Sequence, residues 1–247
     1  MTVNPFKEIL EGNLSNQIHS LNPDICSFED ASQRVADWQA AGHYVVFNAG
    51  AYDILTVNHV LNLVQCRALG AMGLLGIDTI ETDQERDKVH ELAASDDITL
   101  IVTLDTNVAL REGKSRCPEK GGALKPTLDW NTRATMLAMQ TIPAPNYSSS
   151  HRAVDYVTRH GPECCAACPS GTCVNEDNAM MAVGLQPDVV VVSAGSERTM
   201  SDLRSLQLAG MLPDTLIAVN NETCHQYCDP LLGGPVKTTQ IINRIRA

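Results

Sequence analysis

Short apolar runs rich in β-branched residues alternate with helical segments along this chain, and this alternation constrains the fold more than any other feature. The predicted strands cover residues 43–47, 98–104, 154–158, 188–193 and 215–219. The predicted helices cover residues 30–38, 59–69, 82–94, 129–139 and 238–246. Such alternation indicates parallel strands joined by crossover helices that cover both faces of one sheet. We therefore predict a Rossmann-like α/β fold, with an N-terminal helical arm (1–40) followed by an α/β domain (41–247).

The loops that follow the predicted strands are the expected place for a ligand. In open parallel sheets, ligands bind beyond the carboxyl ends of the strands, where the strand order reverses. Loops 48–58, 105–106, 159–175 and 194–198 should converge there. Asp105, at the end of one strand, suits a ribose or substrate contact, and a loop cap is an equal alternative.

The segment VVFNAGAYDILTVNHVLNLVQCRALG, residues 45–70, joins a strand, a small-residue turn at 48–51 and a helix that begins at a histidine. A helix amino terminus carries unsatisfied N–H groups and a partial positive charge, so it favours a phosphate. His59 in the first turn can donate a hydrogen bond to a phosphate oxygen, and Thr56 can add a hydroxyl donor. Asp53 would serve as a turn former or as an acceptor behind the site. The alternative for His59 is a simple helix cap or a solvated side chain.

This segment resembles the motif of the HxGH/TxGH nucleotidyltransferase superfamily. It is most similar to the cytidylyltransferase-like branch, which includes ADP-heptose synthase and glycerol-3-phosphate cytidylyltransferase. Three later blocks resemble the same family in the same order along the chain: KPTLDWNTRATMLAM at 125–139, LQPDVVVVSAGS at 185–196 and KTTQIINRI at 237–245. Together with the lead-in from about residue 28, the resemblance extends to the carboxyl end.

The resemblance implies that a substrate phosphate attacks the α-phosphorus of ATP or CTP and releases pyrophosphate, with Mg²⁺ bridging the triphosphate oxygens. It assigns His59 and Thr56 to the phosphates in transfer, and Lys114 and Arg133 to the leaving pyrophosphate or the acceptor phosphate. Lys114 is chosen over Lys120 and Lys125. Thr238 and Thr239 would cap the β- and γ-phosphates, although a plain helix cap uses the same geometry. The remaining nucleotide contacts would come from Asn48, Ala49, Gly50, Tyr52, Asp53, Asn58, Asp105 and Gly195.

Three positions depart from the family motif. Thr56 replaces the first histidine, as in the phosphopantetheine adenylyltransferase branch, and Tyr52 replaces a phenylalanine. Asn58 replaces a glycine that lets the nucleoside approach the backbone, so its side chain competes for that space. The alternative function is therefore a degenerate nucleotide-binding module that has kept the fold and lost transfer.

A Cys/His-rich insertion at 144–175 contains GPECCAACPSGTC, and ETCHQYC follows about fifty residues later. A C-x-x-C pair with a second pair downstream is typical of a structural zinc site. We predict Zn²⁺ ligands at Cys165, Cys168, Cys224 and Cys228. Scattered reduced thiols or a redox pair are the alternatives, and a metal-stabilised scaffold that binds a partner protein is a third candidate function.

Charge and composition exclude several classes of partner. A net charge of −11 and an aromatic content of 4% argue against nucleic-acid binding and against an anionic membrane surface. No apolar run reaches the roughly 18 residues of a spanning helix, and no basic-then-apolar leader opens the chain. The sequence therefore predicts a cytoplasmic protein whose nine cysteines are not a disulfide framework. Its expected partners are a nucleoside triphosphate and a small phosphorylated acceptor, and a homodimer is compatible with them.

Overall fold

A computed structural model describes residues 25–26, 28–107, 110, 126–143, 150–159, 178–193, 196–220, 228–229 and 234–235. The described strands are β1 (Ile25–Cys26), β2 (Tyr44–Gly50), β3 (Ile98–Leu104), β4 (Thr141–Pro143), β5 (Ser150–Arg152), β6 (Tyr156–Arg159), β7 (Val189–Ser193), β8 (Leu216–Asn220), β9 (Cys228–Asp229) and β10 (Gly234–Pro235). The described helices are α1 (Phe28–Ala40), α2 (Val57–Leu75), α3 (Asp83–Ala93), α4 (Trp130–Ala138), α5 (Asn178–Leu185) and α6 (Glu197–Leu208).

Six of these strands form one sheet in the order β1-β6-β3-β2-β7-β8, and every neighbouring pair in it is parallel. The chain passes from β2 to β3 and β6 on one side, and then returns to β7 on the other side. The strand order therefore reverses between β2 and β7, and we call the space beyond their carboxyl ends the β2/β7 crevice. The predicted α/β fold with a parallel sheet is confirmed.

Apolar side chains of β2 and β3 alternate between two cores, one on each face of the sheet. Val46 and Leu100 pack with α2, α3 and α4 on one face. Phe47 and Ile101 pack with α1, α5 and α6 on the other. Because both faces are covered, most residues of these two strands are apolar, as is usual in parallel sheets. Helix α1 lies within the predicted arm and packs on the second face; the domain boundary at residue 40 stays a prediction.

Two predicted element ends were wrong. Residues 48–50, expected to form a turn, continue β2, because their backbone stays paired with residues 102–104 of β3. Helix α2 passes through Gly70 and Gly73 and ends at Gly76, whose φ of 66° provides the left-handed cap. Gly70 is a packing residue, since a side chain there would collide with Val46.

Arg67 anchors α2 at the amino edge of the sheet. Its guanidinium is fully buried and donates to the carbonyl oxygens of Ala93, Ser95 and Ile98 at 2.6–2.8 Å. It also pairs with the carboxylate of Asp155 at 2.5 Å. These contacts join α2, the α3–β3 connection and the start of β6.

Within the described ranges, no helix is both long and apolar enough to cross a membrane.

Candidate functional site at the β2/β7 crevice

Asn48 joins the two strands that flank the crevice. Its side chain is buried, and its amide Nδ2 donates to the carbonyl oxygen of Val191 in β7 at 2.9 Å. The hydroxyl of Tyr52 donates to Asn48 Oδ1 at 2.6 Å. Asn48 therefore ties the loop after β2 to the crevice floor rather than standing open to a ligand.

Tyr52 adopts a φ of 42°, which is uncommon for a bulky residue. Gly50 leaves room for the Tyr52 ring, because a Cβ at Gly50 would lie only 3.1 Å from it. The Tyr52 hydroxyl accepts a hydrogen bond from Asn62 Nδ2 at 2.8 Å, and Asn220 Nδ2 in turn donates to Asn62 Oδ1. A hydrogen-bonded chain thus connects the loop after β2, helix α2 and the end of β8.

Sequence reasoning missed Asn62 and Asn220. Asn62 follows His59 by three residues, so it lies on the same face of α2, and this spacing could have indicated it. Asn220 reaches Asn62 across 158 residues of sequence, and no local pattern could have indicated that contact.

Thr56 and His59 lie at the amino terminus of α2. Thr56 is the extended N-cap residue, and its backbone N–H donates to His59 Nδ1 at 3.1 Å. The Thr56 hydroxyl lies 3.2 Å from the same nitrogen. Because Nδ1 accepts a backbone hydrogen bond, the neutral imidazole carries its proton on Nε2. The Tyr52 ring packs against the imidazole with a centroid separation of 5.3 Å.

Asn58 lies in the first turn of α2, between these two residues, and its side chain is only 9% exposed. An asparagine is thus accommodated where the resembled motif has glycine.

Asp53 reaches far beyond its own turn. Its carboxylate is 2% exposed, and Oδ1 accepts hydrogen bonds from the backbone N–H groups of Thr127 and Leu128 at 2.8 and 3.0 Å. Asp53 fixes the segment that leads into α4.

Arg133 differs from the expected phosphate ligand. Its side chain is 0% exposed, so it lies in the interior rather than facing solvent. It donates to the carbonyl oxygens of Ala51 at 2.6 Å and Asp105 at 2.8 Å, and to Asn107 Oδ1 at 2.9 Å. These acceptors occupy the guanidinium, so Arg133 positions the loops after β2 and β3.

The loops after β2 and β3 also contact each other directly. Asp105 is buried, and its backbone N–H donates to the carbonyl oxygen of Gly50 at 3.1 Å. Ala49, the residue before Gly50, packs against the second core, on the face of α1, α5 and α6. Of the predicted nucleotide contacts, the structure therefore gathers Gly50, Tyr52 and Asp105 at the crevice edge and places Ala49 on the sheet face.

The remaining candidates lie outside the described residues or have side chains that are not described. No group of three His, Cys, Asp or Glu residues that could hold a metal occurs in the described part of the chain. The phosphate-binding and zinc assignments for the following residues stay predictions: Lys114, Gly195, Thr238, Thr239, Cys165, Cys168, Cys224 and Cys228.

Comparisons with known proteins found two distant relatives. No family model matches the chain. It is 30% identical to the "Bifunctional protein HldE" of Magnetococcus marinus, over 39% of this chain and 22% of that protein. It is 26% identical to the protein of the same name from Methylobacillus flagellatus, over 44% of this chain and 25% of that protein. The match covers about a quarter or less of each relative's length. This distant similarity supports the nucleotidyltransferase superfamily without distinguishing among its branches.

Proposed function

We propose that this protein is a nucleotidyltransferase that transfers AMP or CMP from ATP or CTP to a phosphorylated small molecule, a sugar or polyol phosphate, and releases pyrophosphate. The observation that carries the proposal is the Thr56–His59 pair at the start of α2, beside the point where the strand order reverses. A helix amino terminus and an oriented imidazole donor at this place suit a phosphate group.

His59 would stabilise the charge that develops during transfer. Its Nδ1 is held by the Thr56 backbone N–H, so the ring presents an Nε2 proton rather than a lone pair. A donor fixed before the reaction stabilises a developing phosphate charge without having to reorganise. The Thr56 hydroxyl and the positive end of α2 would act on the same oxygens.

The transfer needs no covalent intermediate with the protein. An oxygen of the acceptor phosphate forms a bond to the α-phosphorus, and the bond from that phosphorus to the bridging oxygen breaks with its electron pair going to pyrophosphate. Mg²⁺, when bound, would neutralise the triphosphate charge; such sites use phosphate oxygens with one or two carboxylates, which Asp105 fits by its place at the end of β3. Lys114, Thr238 and Thr239 are proposed to hold the departing pyrophosphate.

Pyrophosphate release tests the proposal. The purified protein is incubated with Mg²⁺, with ATP or CTP, and with a panel of sugar and polyol phosphates, each against the unphosphorylated compound as control. The expected result is release that requires one nucleotide and one phosphorylated acceptor. The proposal would be overturned if the protein bound neither ATP nor CTP and released no pyrophosphate with any acceptor in the panel.

One observation favours a second candidate, a nucleotide-binding module without transfer activity. Asn58 is buried in the first turn of α2, where the resembled motif needs room for the nucleoside. Titration calorimetry separates the two candidates. Binding of ATP or CTP with no pyrophosphate release by any acceptor in the panel would favour the inactive module.

A further inference from the structure

A groove of about 470 Å³ lies along helix α6, on the side of the sheet away from α2. One face of α6 forms its length, and Ser193 of β7 and Val219 of β8 form its sheet side. Among the described strands, β8 pairs only with β7 and ends the sheet order. The groove is therefore bounded by a helix on one side and by a sheet edge on the other.

The groove and its rim expose apolar groups. Leu208, at the end of α6, is 91% exposed, and Val219 is 47% exposed. The sequence of β8, LIAVN, contains no charge and no proline, the residues that commonly protect an edge strand from pairing. A projecting leucine beside a concave, partly apolar surface is typical of a protein–protein contact.

The charges on this face of α6 have a self-complementary spacing. Glu197 and Arg204 both line the groove and are separated by seven residues, two helical turns or about 10.5 Å along the axis. Within the described part of the chain, neither side chain has an ion-pair partner. Arg198, on another face of α6, pairs with Asp202 instead. The midpoint between Glu197 and Arg204 falls between Met200 and Ser201.

We infer that the groove binds a second copy of this chain, with the two α6 helices packed antiparallel about a two-fold axis near Met200 and Ser201. Glu197 and Arg204 lie at equal distances along α6 from the two-fold axis, on opposite sides of it. Glu197 of each copy therefore faces Arg204 of the other copy. Such a contact is isologous, so it closes into a dimer.

The rest of the groove fits the same symmetry. Leu208, at the carboxyl end of α6, lies toward the amino-terminal end of the partner helix, where the small residues Ser193 and Ser196 line the groove. Ser201 and Ser205 also line the groove, and their small side chains let the two helices approach closely. Antiparallel helices align their dipoles favourably.

The oligomeric state of the full-length chain, measured by sedimentation over a range of concentrations, tests this inference. The wild-type protein is expected to form a dimer. Arg204→Glu and Glu197→Arg each place like charges in contact twice per dimer, and each is expected to weaken association by about tenfold or more. The double variant, which exchanges the two charges, is expected to restore the dimer.

Two further variants complete the design. Arg198→Glu is the matched control, because it reverses a charge on the same helix outside the groove, and it is expected to leave the dimer intact. Leu208→Asp is expected to give a folded monomer, checked by an unchanged thermal transition at the lowest concentration. A monomeric wild-type protein would overturn the inference, as would a dimer insensitive to both Arg204→Glu and Leu208→Asp. Failure of the double variant to restore association would also overturn it. None of these readouts depends on enzymatic activity.

Discussion

Replacing Arg133 by methionine should destabilise the protein and disturb the β2/β7 crevice together. Within the described residues, the side chain donates to the carbonyl oxygens of Leu128, Ala51 and Asp105 and to Asn107 Oδ1. Methionine fills most of the volume but leaves buried acceptors without donors, at roughly 1 kcal/mol each. We expect a loss of about 3–5 kcal/mol in the free energy of unfolding, measured by urea denaturation. A domain of ordinary stability remains folded after that loss.

Arg67→Met provides the matched control for this prediction. Both arginines are fully buried and both donate mainly to carbonyl oxygens, but Arg67 lies at the amino edge of the sheet. The two variants should lose similar unfolding free energy. Only Arg133→Met should also weaken binding of ATP or CTP, because it releases the loops after β2 and β3. Stability within about 1 kcal/mol of wild type for Arg133→Met would refute the reasoning. Equal loss of nucleotide affinity in both variants would refute its link to the site.

Three further predictions concern other parts of the chain. Asn58→Gly should tighten nucleotide binding in calorimetry, because it restores room beside α2; weaker binding would mean that the Asn58 side chain contacts the ligand. Burial raises the pKa of Asp129, but hydrogen bonds from the Thr132 backbone N–H and hydroxyl outweigh burial, so the pKa lies below its usual value. The Asp129 cap should therefore stabilise the protein above the unfolded-state pKa, and this contribution should fade as the pH falls through the lower folded-state pKa. In urea denaturation, Asp129→Ala should cost about 1 kcal/mol at pH 7 and less in acid, and a pH-independent cost would contradict this. Elemental analysis should find about one equivalent of zinc per chain. In Cys165→Ser, both the zinc content and the melting temperature should fall. A metal-free wild-type protein of unchanged stability would exclude the zinc site.

Elements defined by local patterns could be predicted from the sequence. Strand β3 was predicted with the bounds that the structure shows, because its run of seven buried residues has no interruption. Helix α3 begins after Thr82 as expected, since the capping box between Thr82 and Glu85 is a local motif. The Thr56–His59 contact is local in the same way, so the motif placed it at the start of α2.

Features that depend on distant partners could not be predicted. The small residues at 48–50 are typical of a turn, but pairing with β3 keeps them in the sheet. Arg133 lies on a helix with an ordinary pattern, and its burial depends on an acceptor 82 residues away. Asp53 likewise acts on residues 74 and 75 positions later. Local sequence patterns carry no information about such long-range hydrogen bonds.

The central claim is that His59 donates to the phosphate in transfer, and steady-state kinetics of His59→Ala test it most directly. If the Nε2 proton stabilises charge that develops mainly in the transition state, kcat should fall by about 10²–10³ while nucleotide affinity changes far less. The Thr56 N–H would lose its acceptor in this variant, so unfolding free energy is measured in parallel to confirm the fold. An enzyme that keeps wild-type kcat after His59→Ala would contradict the account.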